Sequence, residues 1–541
     1  MIAWALFCVA VAFAPLVYGR IVTLPGTRFS GLLGTFHEDW SSYRAWMRQA
    51  HDGHFLFRDL YTSEPHGRVF FHPLFWLMGV ATRLPGLSVD VVWLLVHAVG
   101  CMLMVVAIHR FASFFSGDAM VRRLTLVLAT TASGFGWITL WIGGAAFAGP
   151  AIDLVAPEAN GFQAMTTWFF PLPIALALML EALVAVLRHL EDGQTAHVVR
   201  GGFLALLLAT IHPYDLLTLD AVALVWTLAA GRRRFAAMIP FFALPLPMVL
   251  YSFGAVRLDA VLSKVSWTIP SPSPAAYVLG WGLPLLLAVS ALAWPSLWKA
   301  EPRRMKLLAL WLAVETVLLA LPLGFQLKLA WGMHVPICLL ASMLVASFFR
   351  EAKRLRFAAA CVVVAAAAIG SAHAFRLLVT LPAQPHLGDY VPAAWGDAFD
   401  WLAARPERDA VVVASPFIAP FVPGATGLTV FEGHWAQTLD RQRKQAFVHD
   451  LFEPPGAVDI SDVRRVLIRN RVRYILLDSS SARDYGLGDG TRLFDFGRLA
   501  RVAWQRPQVM IWEVTSEPAT GEHQPPPPEP QPWTSGDWRG P

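Results

Sequence analysis

The order of polar and apolar positions divides this chain in two. Up to about residue 380, long apolar runs recur with short polar or basic breaks between them. The runs fall at about 2–19, 88–115, 122–148, 168–188, 198–212, 214–230, 235–253, 275–294, 306–322, 332–349 and 357–378. Most approach the roughly 20 residues that a helix needs to cross a bilayer, so the pattern predicts about eleven spans. Residues 69–84, VFFHPLFWLMGVATRL, are apolar as well, but a span there would invert every later loop. They are read instead as an amphipathic helix at the outer interface, with its Phe and Trp among the headgroups. Beyond residue 380 the runs shorten. AVVVASPF, GLTVFEG, VRYILLD and VMIWEV predict strands, and residues 395–404, 437–452 and 461–471 predict helices between them. The closing HQPPPPEPQPWTSGDWRGP is Pro-rich and expected to be disordered.

Composition agrees with that pattern. The 541 residues are 56% hydrophobic and 15% charged, with a mean hydropathy of +0.50. A soluble domain carries roughly a quarter charged residues, which argues against a soluble protein with buried core helices. The net charge of +5 does not call for nucleic acid, because the basic residues cluster in short loops between apolar runs. These clusters are Arg110 with Arg122 and Arg123, Arg188 to Arg200, GRRRF at 231–235, KAEPRRMK at 299–306 and REAKRLR at 350–356. Eleven spans with the N-terminus in the cytoplasm put all five on the inner side. The 20–87 segment and everything after 378 then lie outside. The first run lacks a basic leader and a clear small-residue cleavage site, and is read as an uncleaved span. Cys8, Cys101, Cys338 and Cys361 all lie in apolar segments, so neither disulfides nor a thiolate metal site is expected.

The predicted architecture is therefore a polytopic α-helical protein of the inner (plasma) membrane with a C-terminal extracytoplasmic α/β domain. Its expected divisions are 1–379, including the outer loop 20–87, then 380–515, then the tail 516–541.

The outer loop holds the densest polar chemistry, in GTFHEDWSSYRAWMRQAHDGHFLFRDLYTSEPHG at 34–67. Its HEDWSSY at 37–43, followed by the Pro-containing FFHPLFWLMG at 70–79, resembles the GT-C superfamily of membrane glycosyltransferases. The many-span body and the outer C-terminal domain extend the resemblance over nearly the whole chain. It implies transfer of a sugar from a polyprenyl-phosphate donor to a glycan, lipid or protein acceptor. Such a reaction needs a base for the acceptor's proton and cations near the departing lipid phosphate. The resemblance assigns the base to the first-loop aspartate, here Asp39, with Glu38 as runner-up. Adjacent helical residues point about 100° apart, so only one of the two faces a cavity. Asp39 equally suits the cap of the helix beginning near Trp40.

Other polar groups are candidates for the substrate cavity. Glu64 and His66 lie in the turn YTSEPHG, Asp153 and Glu158 in the loop DLVAPEANGF, and His212 and Asp215 in ATIHPYDLLTLD. Polar groups in such an apolar stretch are costly in lipid, so the last pair faces a cavity or marks a chain reversal. Lys328 in GFQLKLAWGMHVP is the first candidate for the donor phosphate, ahead of Arg257 and Lys264, with His334 beside it. The resemblance places an Arg there; Lys keeps the charge and loses the bidentate fork. Each of these acids and cations also has a plainer reading as a solvated or headgroup-facing side chain.

In FEGHWAQTLDRQRKQ at 431–445, Glu432, His434 and Trp435 are candidates for acceptor contact. Trp435 would either stack on a sugar or pack against the membrane body. Catalytic subunits of oligosaccharyltransferases hold a divalent cation with acids of the first two outer loops. Their signature motifs are missing here, and the histidines 37, 51, 54, 66 and 72 show no i, i+4 pair beside an acidic ligand. No cofactor or metal is expected. No nucleotide motif is present. A flippase for a lipid-linked intermediate, or an inactive scaffold, is the alternative; transporters place their polar residues at mid-membrane.

Overall fold

The computed structural model describes residues 1–31, 37–142, 150–167, 171–259, 261–264, 268–269, 271–348, 352–380, 389–452, 460–478, 497, 499–507 and 509–515. The Pro-rich tail lies outside them. The chain forms two compact units. One comprises Met1–Val17, Trp93–Ser252 and Trp267–Thr380; the other comprises Tyr18–Val92, Phe253–Ser266 and Leu381–Pro541.

The first unit is helical. Among the described residues, five helices are long and apolar enough to cross a membrane, and a bent pair, taken as one span, makes a sixth. The five are Ile2–Ile21, Val89–Phe115, Leu172–Asp192, Pro274–Leu292 and Gln326–Ser347, the last beginning with a 3₁₀ turn. The bent pair is Lys353–Ala367 with Ile369–Thr380, at 44°. Other apolar runs form shorter or broken helices. The run at 235–253 is interrupted by prolines and resolves into Ile239–Ala243 and Leu246–Leu258. The run at 122–148 breaks after Thr131, and helix resumes at Gly136–Ile142.

That break is repaired by hydrogen bonds from other segments, as a buried backbone requires. Ser133 N–H donates to the Ala367 carbonyl at 2.9 Å and Phe135 N–H to the Leu279 carbonyl at 2.7 Å. Gly134 permits the approach, since a Cβ there would stand 2.1 Å from the Leu279 oxygen.

The second unit is built around a sheet with strand order β4-β3-β5-β7-β6. Here β3 is Val411–Ala414, β4 Thr429–Val430, β5 Val472–Asp478, β6 Ala500–Arg506 and β7 Val509–Val514. Strands β4, β3 and β5 are parallel, whereas β7 and β6 form an antiparallel hairpin on the β5 edge. Two shorter strands, β1 at Thr27–Phe29 and β2 at Tyr390–Pro392, pair antiparallel. Side chains alternate across the sheet. On one face, Val412, Ala414, Tyr474 and Leu476 pack with Trp395 and Leu402 of helix Ala393–Ala403 and with Ala45, Leu60 and Tyr61 of the first loop. On the other, Val411, Val413 and Ile475 meet helices Arg441–Phe452 and Ile460–Arg469.

The first loop thus shares a core with the C-terminal sheet. Its helix His37–His51 buries Trp40, Ala45 and Met47 and packs on helix Pro73–Ala81. Nine residues of helix span about 14 Å, under half of a bilayer core. The contact is close at Gly79, where a Cβ would lie 2.3 Å from the Met47 carbonyl oxygen and 2.9 Å from its Cα. Both atoms are backbone and cannot rotate away. Gly79→Ala is accordingly expected to destabilise this unit by about 1–3 kcal/mol, the usual cost of overpacking. A thermal melt in detergent, unchanged by the substitution, would contradict this packing.

Candidate functional site

Helix His37–His51 carries Glu38 and Asp39 in its first turn, where the helix dipole favours carboxylates. Their side chains extend beyond their own helix. Asp39 Oδ1 accepts a hydrogen bond from the Trp435 indole Nε1 at 3.2 Å, and the His434 Nε2 lies 3.6 Å away. Glu38 Oε2 accepts from the Trp435 backbone N–H at 2.5 Å, and its other oxygen sits 3.6 Å from the Arg441 guanidinium. Arg441 also reaches Glu432, whose Oε1 accepts from its Nε and from Gln445 Nε2, each at 3.2 Å. Glu432 is buried, and that burial, against the pull of Arg441, raises its carboxyl pKa. The side chains of Glu38 and Asp39 remain 32% and 24% exposed, so both acids are partly open to solvent.

A second cluster ties the loop to helix Arg441–Phe452. The buried Lys444 ammonium donates to Glu64 Oε2 at 2.7 Å and lies over the Phe431 ring. Thr62 Oγ1 donates to the same carboxylate oxygen. Glu64 is therefore a partner of Lys444. His66 is half-buried, with Nδ1 2.7 Å from the Glu64 carbonyl.

Asp59 completes the loop's polar core. Its carboxyl end is enclosed although the residue as a whole is half-buried, and Oδ1 accepts from the Tyr61 N–H at 2.8 Å. Burial pushes this carboxyl up to about 7, while the Tyr61 N–H, His434, Lys444 and Arg58 pull the other way. A folded chain keeps the proton to about pH 7, whereas an unfolded one releases it near pH 4. The folded state binds the extra proton across that window, so the stability contributed by Asp59 falls as pH rises from about 4 to 7. Denaturation midpoints at pH 5 and pH 8 should diverge less in Asp59→Asn than in the parent chain. An equal divergence would remove Asp59 as the source.

Arg257 and Lys264 fall in the second unit, in the segment Phe253–Ser266. The Arg257 guanidinium lies 4.7 Å from the centre of the Phe253 ring, and Lys264 is exposed.

The remaining candidates belong to the first unit. Lys328 Nζ donates to Glu158 Oε1 at 2.7 Å, and the Glu158 side chain is only 2% exposed. The 3₁₀ turns that carry them, Pro157–Ala159 and Gln326–Ala330, pack together. The second turn also packs on helices Tyr214–Ala230 and Pro302–Ala320. His212 ends helix Thr195–Ile211, Pro213 opens the next, and His212 Nδ1 stands 3.0 Å from the buried Asp215 Oδ2. The His212–Pro213 step is thus a helix break, and it brings an acid and a base together.

Asp153 has a different environment. Its Oδ2 accepts from Ser133 Oγ at 2.8 Å, Gly134 N–H at 2.9 Å and Gly136 N–H at 3.3 Å, so it satisfies the break after Thr131. Burial, opposed by those bonds, pushes its carboxyl up to about 6. His334 is buried at the start of helix His334–Ser347 and lines a small, partly open pocket with Asn160, Trp281 and Cys338.

Several polar side chains of these two units were not among the sequence candidates: Asp59, Thr62, Arg441, Lys444 and, inside helix Pro302–Ala320, Glu315. Glu315, with Oε2 accepting from Trp311 Nε1 at 2.6 Å, is an acid inside an apolar helix and was readable as such. The others carry no local signal. Among the described residues, no three or more His, Cys, Asp or Glu side chains gather as a metal site would.

No protein-family model and no curated protein matches the sequence. Solved structures do match the fold. ArnT from Cupriavidus metallidurans, in a structure bound to undecaprenyl phosphate, is 14% identical at a TM-score of 0.53, over 95% of this chain and 98% of that one. The mycobacterial arabinofuranosyltransferase AftD is 15% identical at 0.54, over 96% of this chain and 42% of that one. An Archaeoglobus fulgidus oligosaccharyltransferase complexed with Zn and sulfate is 13% identical at 0.50, over 91% and 71%. All are membrane glycosyltransferases of the GT-C superfamily. The chain shares their fold, with several apolar helices and a C-terminal sheet region.

Proposed function

We propose that the chain transfers a hexosyl or pentosyl group from a polyprenyl-phosphate donor to a glycan, lipid or protein acceptor on the extracytoplasmic face. The observation that carries this reading is Asp39: an acid in the first turn of a first-loop helix, partly open to solvent and held by an N–H donor. In the proposed reaction, an acceptor oxygen attacks the anomeric carbon and Asp39 takes its proton. The bond from sugar to phosphate breaks, and polyprenyl phosphate leaves with the electron pair. Lys328 is the cation of the first unit proposed to stabilise such a phosphate. The ArnT structure, with its bound undecaprenyl phosphate, supports a lipid-linked donor.

The test is release of polyprenyl phosphate by the purified chain from synthetic lipid-linked sugars. Movement of intact donor across vesicles with no release would favour the flippase.

Orientation follows from the five basic clusters, with the N-terminus in the cytoplasm, the sheet outside and the inner membrane as host. A cysteine at the exposed position Arg465, in a chain stripped of its four native cysteines, should react with an impermeant maleimide in intact cells. Reaction only after the membrane is opened would reverse the assignment.

A further inference from the structure

His434 was a candidate for acceptor contact, but its ring geometry gives it another task. The side chain is 2% exposed, and Nδ1 accepts the Ala436 backbone N–H at 3.0 Å. A neutral imidazole with an accepting Nδ1 carries its proton on Nε2. Nε2 is the atom 3.6 Å from Asp39 Oδ1. Gln437 Nε2, 3.5 Å from the same ring nitrogen, donates to Ser42 Oγ at 2.7 Å. With one ring nitrogen occupied and the other protonated, neutral His434 has no lone pair with which to deprotonate a substrate. It can only donate.

We propose that His434 is a positioning residue: while the Trp435 indole donates to Asp39 Oδ1, the protonated Nε2 edge of His434 faces the same oxygen from 3.6 Å, and the two keep that carboxylate ionised and aimed. This rests on the reading of Asp39 as the base. Asp39 of the first-loop helix lies 3.6 Å from the ring and Asp59 of the loop interacts with it electrostatically; beyond these acids, Arg441 stands 3.6 Å from Glu38 and Lys444 acts on Asp59. The Tyr61 ring packs 5.3 Å away, and its hydroxyl donates to the Pro420 carbonyl. Donors to the charged form of an acid hold its pKa down. Removing one should therefore move ionisation of Asp39 to higher pH.

The informative variant is His434→Asn, whose side-chain oxygen can still accept the Ala436 N–H while the group facing Asp39 is lost. His434→Gln is the rescue, since its longer amide can place an N–H near the former Nε2. Two readouts apply to the full-length chain in detergent. One is the acid limb of kcat/KM for sugar transfer. The other is carbodiimide-coupled amine labelling of Asp39, followed by peptide mass spectrometry from pH 3 to 8. In His434→Asn both should shift upward by about one pH unit, a tenfold change in proton affinity, and Gln should reverse most of it. Trp435→Phe, which deletes the second donor, should shift labelling in the same direction. Labelling that stays at the parental midpoint in His434→Asn, beside an inactive Asp39→Asn chain, overturns the role of His434 and leaves the catalytic reading standing. A shifted midpoint beside a fully active Asp39→Asn chain overturns the catalytic reading, and the positioning role with it.

Discussion

Asp39→Asn should lower turnover about a hundredfold or more, the scale on which a general base contributes, while the chain still folds and binds donor. Asparagine keeps the side-chain oxygen that accepts the Trp435 N–H. The helix begins at His37, two residues before Asp39, so Asp39 sits within the first turn and not at the cap, where loss of the charge costs only about 0.3–1 kcal/mol. Asparagine cannot hold the acceptor's proton. A structural role at the helix start alone therefore predicts a nearly silent change, and the two readings separate by orders of magnitude. Glu38→Gln is the companion measurement. Its amide oxygen still accepts the Trp435 backbone N–H, but its attraction to Arg441 is lost. The effect should be milder. Full activity in Asp39→Asn sinks the assignment, and a dead Glu38→Gln beside it moves the base by one residue.

The second large effect concerns Lys328 and Glu158. Replacing Lys328 by Met leaves the buried Glu158 carboxylate without the ammonium 2.7 Å away. Breaking a buried pair from one side costs about 3–5 kcal/mol, because the remaining charge is uncompensated. Under the proposed role of Lys328, the same change also removes a charge-assisted contact from the donor phosphate, worth roughly 1.5–3 kcal/mol. Stability and donor affinity should thus fall together in the single variant. The double variant Lys328→Met with Glu158→Gln separates them. Its melt should recover most of the loss, since no lone charge is left inside, while donor binding stays about tenfold or more weaker. A double variant that binds donor as the parent does would remove Lys328 from the phosphate site and leave the pair a purely structural one.

How far the chain could be read in advance depended on whether the signal was local. Four of the five strands in the sheet lie where short apolar runs predicted them, and the three helices between them fall within a few residues of expectation. Strand β6 did not stand out, because ARVAWQR faces outward along much of its length and slips register between Val502 and Trp504. In the helical unit the apolar runs marked where helices lie. They did not show where those helices break, since the break after Thr131 depends on partners as distant as Leu279 and Ala367. The site divides the same way. Glu38 and Asp39 were legible as acids at a helix start. Trp435, His434 and Glu432 were legible as a polar turn after a strand. That the two stretches meet was not legible, because neither contains the other's address. The pairing of Lys328 with Glu158 was hidden for the same reason, 170 positions apart.

The bond between Trp435 and Asp39 joins residues 396 positions apart. At about 5–20 residues per second of synthesis, Asp39 emerges roughly 20–80 seconds before its partner exists. During that interval the chain already carries its first hydrophobic segment and the acids, but not the loop that aims them. The contact between the first-loop helix and the turn after β4 is then among the last a nascent molecule makes, after its helices have been synthesised. A truncated product ending before residue 430 would retain the apolar helices of the first unit and lack every partner that Trp435 and His434 give Asp39. Under the proposed role of Asp39, the wide separation ties activity to synthesis of the final sheet.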